Sequence, residues 1–191
     1  MVGFQDETWW SRVSPPTVSV WTDEGHPSRL VERTVPRRER KALACYGLLV
    51  PGAYHGGDQD EVWLRFVDGR PVSALTTAFL DWCSQRLAAR GVRVWALIWD
   101  NAAWHVSREV VRWLHAHNRT VKQSGAGVRI LACRLPVKSP WLNPIEGHWR
   151  HGKRQTLEPG RVLSAEELET RVCRYYGCDQ EVHLMIPEKV A

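Results

Sequence analysis

The run Val-Arg-Val-Trp-Ala-Leu-Ile-Trp at positions 92–99 constrains the fold more than any other segment. It is strand-length, apolar, rich in β-branched and aromatic side chains, and bounded upstream by Gly91, which is the pattern of a buried strand. Helical patterns flank it on both sides. Upstream, residues 73–89 carry Leu75, Phe79, Trp82, Cys83 and Leu87 at helical spacing and close on Arg90-Gly91. Downstream, Ser107 is placed to cap a helix running through Val110, Val111 and Leu114, with His115, His117 and Arg119 near its C-terminal end, where positive charge suits the dipole. Another apolar strand follows at 128–135. Strands joined through helices lie parallel, so this half of the chain predicts an α/β layer with helices on the faces of a sheet.

The first half has a different character. Residues 42–50 form an apolar run ending at Pro51-Gly52, and residues 61–67 alternate apolar and polar before Asp68-Gly69, with Gly56-Gly57 in the loop between them. With the opening strand they predict an antiparallel meander. Residues 13–36, with Ser14-Pro15-Pro16 and charged turns, read as irregular. Near the other end, Asn143-Pro144-Ile145-Glu146 has the form of a helix start, with Asn at the N-cap, Pro at the first helical position and Glu at the third. Ser164-Ala165-Glu166-Glu167 opens a last helix reaching about Tyr176. The expected architecture is a mixed sheet, antiparallel over its first three strands and then parallel, flanked by helices. A catalytic domain over 1–160 and a C-terminal helix and tail over 161–191 are expected.

At 191 residues the chain has room for one domain with a substantial core. Its net charge of +5 and pI near 9.1 say less than where the charges sit. From Arg129 to Arg154 the cations Arg129, Arg134, Lys138, Arg150, Lys153 and Arg154 face a single acid, Glu146, and a second basic run occupies residues 37–41. Such a cluster is either a solvated face or a surface for a phosphodiester backbone. Its bracketing of an acid favours the second reading. The five cysteines, Cys45, Cys83, Cys133, Cys173 and Cys178, fit no disulfide framework and no metal-ligand spacing, which points to a reducing compartment. Cys45, Cys83 and Cys133 read as small core residues, and a zinc cluster of Cys173, Cys178 and His183 as a remote alternative. With no apolar stretch of transmembrane length and no signal-peptide pattern after Met1, a cytoplasmic, nucleoid-associated protein is expected. Of the eleven tryptophans, Trp9, Trp63, Trp82, Trp95, Trp99 and Trp113 read as core. Trp104, Trp141 and Trp149 lie near acids, where core packing and stacking on an unpaired base both remain open.

The chemistry concentrates in two acids. Asp100 ends the 92–99 strand, and Glu146 stands in the first turn of a helix. Taken singly, each is explained by turn or capping roles. Taken together, a strand-end carboxylate and a helix carboxylate converging in space are a means of holding a divalent cation.

The words around these acids carry a resemblance. Asp100-Asn101-Ala102-x-x-His105 and Ser139-Pro140-x-Leu142-Asn143-Pro144-Ile145-Glu146-x-x-Trp149, closing on Lys153, resemble the DDE transposases of bacterial insertion sequences in the mariner superfamily. The resemblance implies a ribonuclease-H-like fold, a third acid in an opening strand followed by Asp-Glu, and DNA strand cleavage and strand transfer dependent on two Mg²⁺ or Mn²⁺ ions. Val2-Gly3-Phe4-Gln5-Asp6-Glu7 supplies the third acid, Asp6. Trp21, Gly25 and Pro27 also fall where that family has a Trp, a Gly and a Pro. Asp23-Glu24 is the rival pair, but it lies in a polar, turn-rich stretch. The catalytic and metal-binding expectation is therefore Asp6, Asp100 and Glu146, with Asp6 and Asp100 sharing one ion and Glu146 binding the second. Asn101, His105, Lys138, Asn143, Trp149 and Lys153 are expected to support those acids or to contact DNA. The resemblance also implies transposon ends and target DNA as partners and a homo-oligomer when active. With Asp6 reached after five residues, the family's N-terminal helix-turn-helix region has no room here, and the readings left open are a split frame joined by frameshifting, with a separately encoded DNA-binding part, a truncated relic, or a misplaced start codon. Competing readings are an inactive or truncated relic that only binds nucleic acid, and a metal-independent hydrolase using two carboxylates. The basic surroundings of Glu146 argue against the latter.

Overall fold

The computed structural model describes residues 1–12, 17–21, 27–31, 43–54, 56–158 and 161–186. Its main sheet is built from β1 (Val2–Trp10), β4 (Leu43–Val50), β5 (Glu61–Val67), β6 (Val94–Trp99) and β7 (Arg129–Arg134), in the spatial order β5-β4-β1-β6-β7. β5, β4 and β1 pair antiparallel, whereas β6 lies parallel to both β1 and β7. The mixed sheet is the one expected. β6 and β7, joined through a helix, are parallel because the helix carries the chain back to the end of the sheet where β6 began.

Helices α1 (Ser73–Ala89), α2 (Arg108–Ser124), α3 (Ile145–Thr156) and α4 (Ala165–Tyr176) cover the sheet. Ser107 and Ser164 cap α2 and α4 by accepting from the amides of Val110 and Glu167, and Gly125 and Gly177 end them in the left-handed conformation. Two apolar clusters result, one on each face. Trp63, Leu48, Tyr46, Trp95, Leu97 and Trp99 pack with α1 and α2. Trp10, Cys45, Leu49, Leu64 and Phe66 pack with Ile145 and Trp149 of α3 and with Leu168 and Val172 of α4. The C-terminal helix thus buries its apolar side in the second cluster, and the preceding Leu163 amide donates to the Arg12 carbonyl. Past α4, Leu184 bridges to Val67 at the outer edge of the sheet. No helix among the described residues is long and apolar enough to cross a membrane.

Three local expectations are corrected. The stretch read as irregular contains an antiparallel pair, β2 (Thr17–Trp21) with β3 (Pro27–Val31), in which Trp21 stands opposite Pro27. The Thr-Val-Ser-Val-Trp alternation of β2 is a strand pattern that the neighbouring prolines and charges masked. Trp9 is 47% exposed, because alternation turns it away from the cluster that receives Trp10. Cys133 is exposed because β7 is the edge strand, whose side chains are uncovered apart from Ile130. Asp23, Glu24, Gly25 and the basic run at 37–41 lie outside the described residues.

Candidate metal centre

Register brings Asp6 and Asp100 together. Phe4 of β1 pairs with Ile98 of parallel β6, so two residues further along each strand stand Asp6 and Asp100, on the same face of the sheet. That face is the one covered by α3. Asp6 lies opposite Gly47 of β4, and a Cβ at Gly47 would overlap the Trp149 ring. The glycine therefore lets α3 settle close enough for the Trp149 indole N–H to donate to Asp6 Oδ2 at 2.9 Å. Ile145 and Trp149, one turn apart, are buried against the sheet. Glu146, next to Ile145, is half-buried and makes no side-chain hydrogen bond to a described residue.

The electrostatics of the three acids differ. Asp6 is buried, and its pKa is pushed up to about 8, first by burial and then by the charges of Glu7 and Glu146. The Trp149 hydrogen bond works against the rise without cancelling it. Asp100 is held below the usual carboxylate range, chiefly by the hydrogen bond from His105 and then by the Ala102 amide, against partial burial. Lys153 lies two turns beyond Glu146 and is half-buried. Its Nζ donates to Thr8 Oγ1 at 2.7 Å, and its pKa is lowered by burial, with Cys45, Glu146 and Asp6 partly restoring it. It belongs to the carboxylate face and is not a solubilising surface lysine.

On the opposite face of β1 the neighbouring acid is already satisfied. Glu7 Oε1 accepts from Gln5 Nε2 at 2.9 Å and stands 2.8 Å from His105 Nε2, while Glu7 Oε2 accepts from Trp104 Nε1 at 3.0 Å. The other ring nitrogen of His105 stands 2.7 Å from Asp100 Oδ1. With a carboxylate at each nitrogen, the ring satisfies both only as imidazolium. Burial pulls its pKa down, but the hydrogen bonds to Asp100 and Glu7 outweigh it and raise the pKa to about 9. The ring is fully buried and stacks on Trp99 at 4.6 Å between centroids. His105 therefore has no direct access to DNA. It ties Asp100 to β1 through Glu7, a partner that the motif spacing did not reveal.

The remaining site residues have distinct places. Asn101 donates to the Leu135 carbonyl at 2.7 Å, fixing the β6 end to the loop after β7. Asn143 does not cap α3 with its side chain. Instead it is buried and donates across to the Gln5 carbonyl at 3.1 Å, anchoring the helix start to β1. Lys138 is exposed, with a left-handed backbone at φ 59°, in a loop that with Asp100, Asn101 and Pro140 lines a cavity of about 370 Å³. Trp141, 75% exposed, sits in the 3-10 turn Pro140–Leu142 beside it, whereas Trp149 is core and Trp104 is half-buried on Glu7. The distant Cys173, Cys178 and His183 do not form a metal site, since His183 is engaged by Asp68 and Glu169.

The donor set suits a hard divalent cation: carboxylate oxygens, one of them raised in pKa by burial and then by neighbouring negative charge that a cation would neutralise. Among the described residues no three His, Cys, Asp or Glu side chains stand close enough to hold a metal ion as they are. Asp6 is turned toward Trp149 and Asp100 toward His105, so ligation requires side-chain rotation while the backbone positions stay in place.

A family described as DDE superfamily endonuclease matches residues 4–169. Among solved structures, the fold is similar to a Mos1 transposase paired-end complex with left transposon end, at 17% identity and TM-score 0.67, covering 94% of this chain and 48% of that one. It is likewise similar to the Mos1 mariner paired end complex with Mn, at 18% identity and TM-score 0.64, over 94% and 48% of the two chains. The catalytic domain of Mos1 mariner transposase matches at 14% identity and TM-score 0.55, over 94% and 71%. The chain thus spans about half the length of the transposase chains in the complexes. No curated protein matches it.

Proposed function

Because the chain belongs to the DDE superfamily endonucleases, we propose that it is the catalytic domain of a transposase, cleaving DNA strands and joining them to a target. Asp6, Asp100 and Glu146 would hold two divalent ions, Mg²⁺ or Mn²⁺, the first two acids sharing one ion and Glu146 binding the other. Bound there, such ions activate an attacking oxygen and stabilise the departing one in displacement at phosphorus. Water is the attacking group for cleavage and a DNA 3′-hydroxyl for strand transfer, with no covalent protein intermediate. The observation that supports this reading is the register of β1 against β6, in which Phe4 pairs with Ile98 two residues before Asp6 and Asp100, together with Glu146 of α3, whose charge adds to the rise that burial gives the Asp6 pKa.

The protein's own groups have separable tasks. His105, held by Glu7, keeps the Asp100 carboxylate ionised and oriented. Trp149 and Asn143 fix α3 against β1, and Lys153 stands where it can meet a phosphate oxygen beside Asp6. Lys138, Arg150 and Arg154, all exposed, offer phosphate contacts around the site. The partners in this reading are transposon ends and target DNA and a second copy of the chain, with the cytoplasmic nucleoid as the place of action.

The test is nicking of supercoiled plasmid across a titration of Mg²⁺ or Mn²⁺. Wild-type protein is expected to nick only with metal, Glu146→Gln to lose the activity, and Asp23→Asn to keep it. Equal nicking by wild type and Glu146→Gln would remove the metal-nuclease reading. Loss in Asp23→Asn with retention in Asp6→Asn would move the first acid to Asp23.

A further inference from the structure

Helix α2 carries a feature that the carboxylate site does not use. Arg108, Arg112, His115, Arg119 and Lys122 recur at intervals of four and three residues, and all are exposed. At 3.6 residues per turn they fall within about 80° of arc, forming a stripe about 21 Å long at 1.5 Å per residue. The helix contacts the core through Val110 and Leu114 on its other side. Glu109, the one acid of the helix, stands about 100° away from the first cation of the stripe. No ion pair among the described residues neutralises Arg108, Arg112, Arg119 or Lys122, and the Arg112 guanidinium merely donates to the Arg108 carbonyl. Like charges at these spacings repel, so the pattern is one that helix stability alone disfavours.

The stripe also borders a built surface. Between α2 and the uncovered edge strand β7 runs a groove of about 440 Å³, with Val111, Leu114 and Leu131 along its walls and His115 and Arg134 at its rim. Its inner end reaches Trp99 and His105, the stacked pair directly behind Asp100. The groove lies on the α2 face of the sheet, across from the carboxylates, and the cations follow it along the helix.

We infer that the α2 stripe and Arg134 form a binding track for the phosphodiester backbone of DNA along the α2–β7 groove, on the face of the sheet opposite α3. Charge complementarity selects the occupant: a row of cations with no ion-pair partner among the described residues, on an extended rim, fits a regularly spaced polyanion. The identity of the polyanion as DNA rests on the endonuclease reading above.

The experiment measures binding apart from cleavage. A fluorescein-labelled DNA duplex of arbitrary sequence is titrated with protein in EDTA, by anisotropy, across a salt series. Arg112→Gln/Arg119→Gln is compared with Arg70→Gln/Arg174→Gln, which removes the same charge from exposed positions elsewhere. The stripe variant is expected to lose about tenfold in affinity and to flatten the salt dependence by about two phosphate contacts, with the control close to wild type. Thermal melting of both variants verifies the fold. Equal losses in the two variants, or none in the stripe variant, would overturn the track. Because no metal is present, that outcome leaves the nuclease reading standing, whereas metal-dependent nicking by Glu146→Gln would strike the nuclease reading and not the track.

Discussion

Asp6 and Glu7 are adjacent in sequence and face opposite sides of the sheet, and their surroundings could hardly differ more. Glu7 is enclosed by donors: Gln5, Trp104 and the His105 imidazolium. Asp6 has the Trp149 indole and the Glu7 amide and is otherwise pressed by burial and by two like charges. The first acid is complete without any ligand. The second is held in a state that a divalent cation would relieve, because a cation both replaces the proton and neutralises the repulsion. A one-residue step along a strand therefore separates an acid that supports the site from an acid available to bind metal.

The largest test of this contrast is Asp6→Asn. The amide keeps the acceptor for Trp149 and removes the ionisable group, so metal-dependent nicking should fall by about a thousandfold or more. The metal-free protein should become more heat-stable, since Asn resembles the protonated acid that the fold prefers. Calorimetric melting and plasmid nicking on the same preparation check both halves. Glu7→Gln should have the opposite effect on stability. It leaves the His105 charge half-compensated inside the protein, lowering stability by about 1–3 kcal/mol. It weakens nicking by about 10- to 100-fold through loss of Asp100 orientation, and added Mn²⁺ should recover part of the loss.

A smaller effect is expected at Lys153. Lys153→Gln should lower kcat for nicking by about tenfold, with metal affinity slightly improved because a neighbouring positive charge is gone.

The pH dependence sharpens the comparison further. Asp6 has a raised folded pKa, so its proton opposes metal binding below about 8, and Mg²⁺ affinity should climb as pH rises toward that value. His105 also has a raised pKa. The stability it contributes is therefore fully present below its ordinary value of 6.5 and is lost as pH rises through about 9. Nicking should accordingly pass through a maximum between these two events, and in Glu7→Gln the alkaline side should shift to lower pH.

Sequence reading recovers the elements whose signals are local. The buried run at 92–99, the Ser107 and Ser164 caps and the Arg90-Gly91 stop each depend on neighbours within one turn or one strand. The resemblance adds positions 6, 100 and 146. What stays hidden depends on contacts distant in sequence. The partner of His105 lies 98 residues away on β1, and alternation alone cannot say which face of β1 will receive α3. Asn143 has the composition of a cap, yet its Nδ2 donates to the Gln5 carbonyl 138 residues upstream, and in that orientation its Oδ1 accepts no amide of the helix. Cys133 and Trp9 have core-like composition, and only the strand order reveals that one lies on an edge strand and the other points away from the packed cluster.

Calorimetric titration of Mn²⁺ into wild type, Asp6→Asn and Glu7→Gln, in buffers of differing protonation enthalpy near neutral pH, tests the central claim most directly. The account predicts binding with proton release in the wild type, loss of binding in Asp6→Asn, and weakened binding that still releases a proton in Glu7→Gln. Unchanged Mn²⁺ binding in Asp6→Asn, with loss in Glu7→Gln, would contradict it.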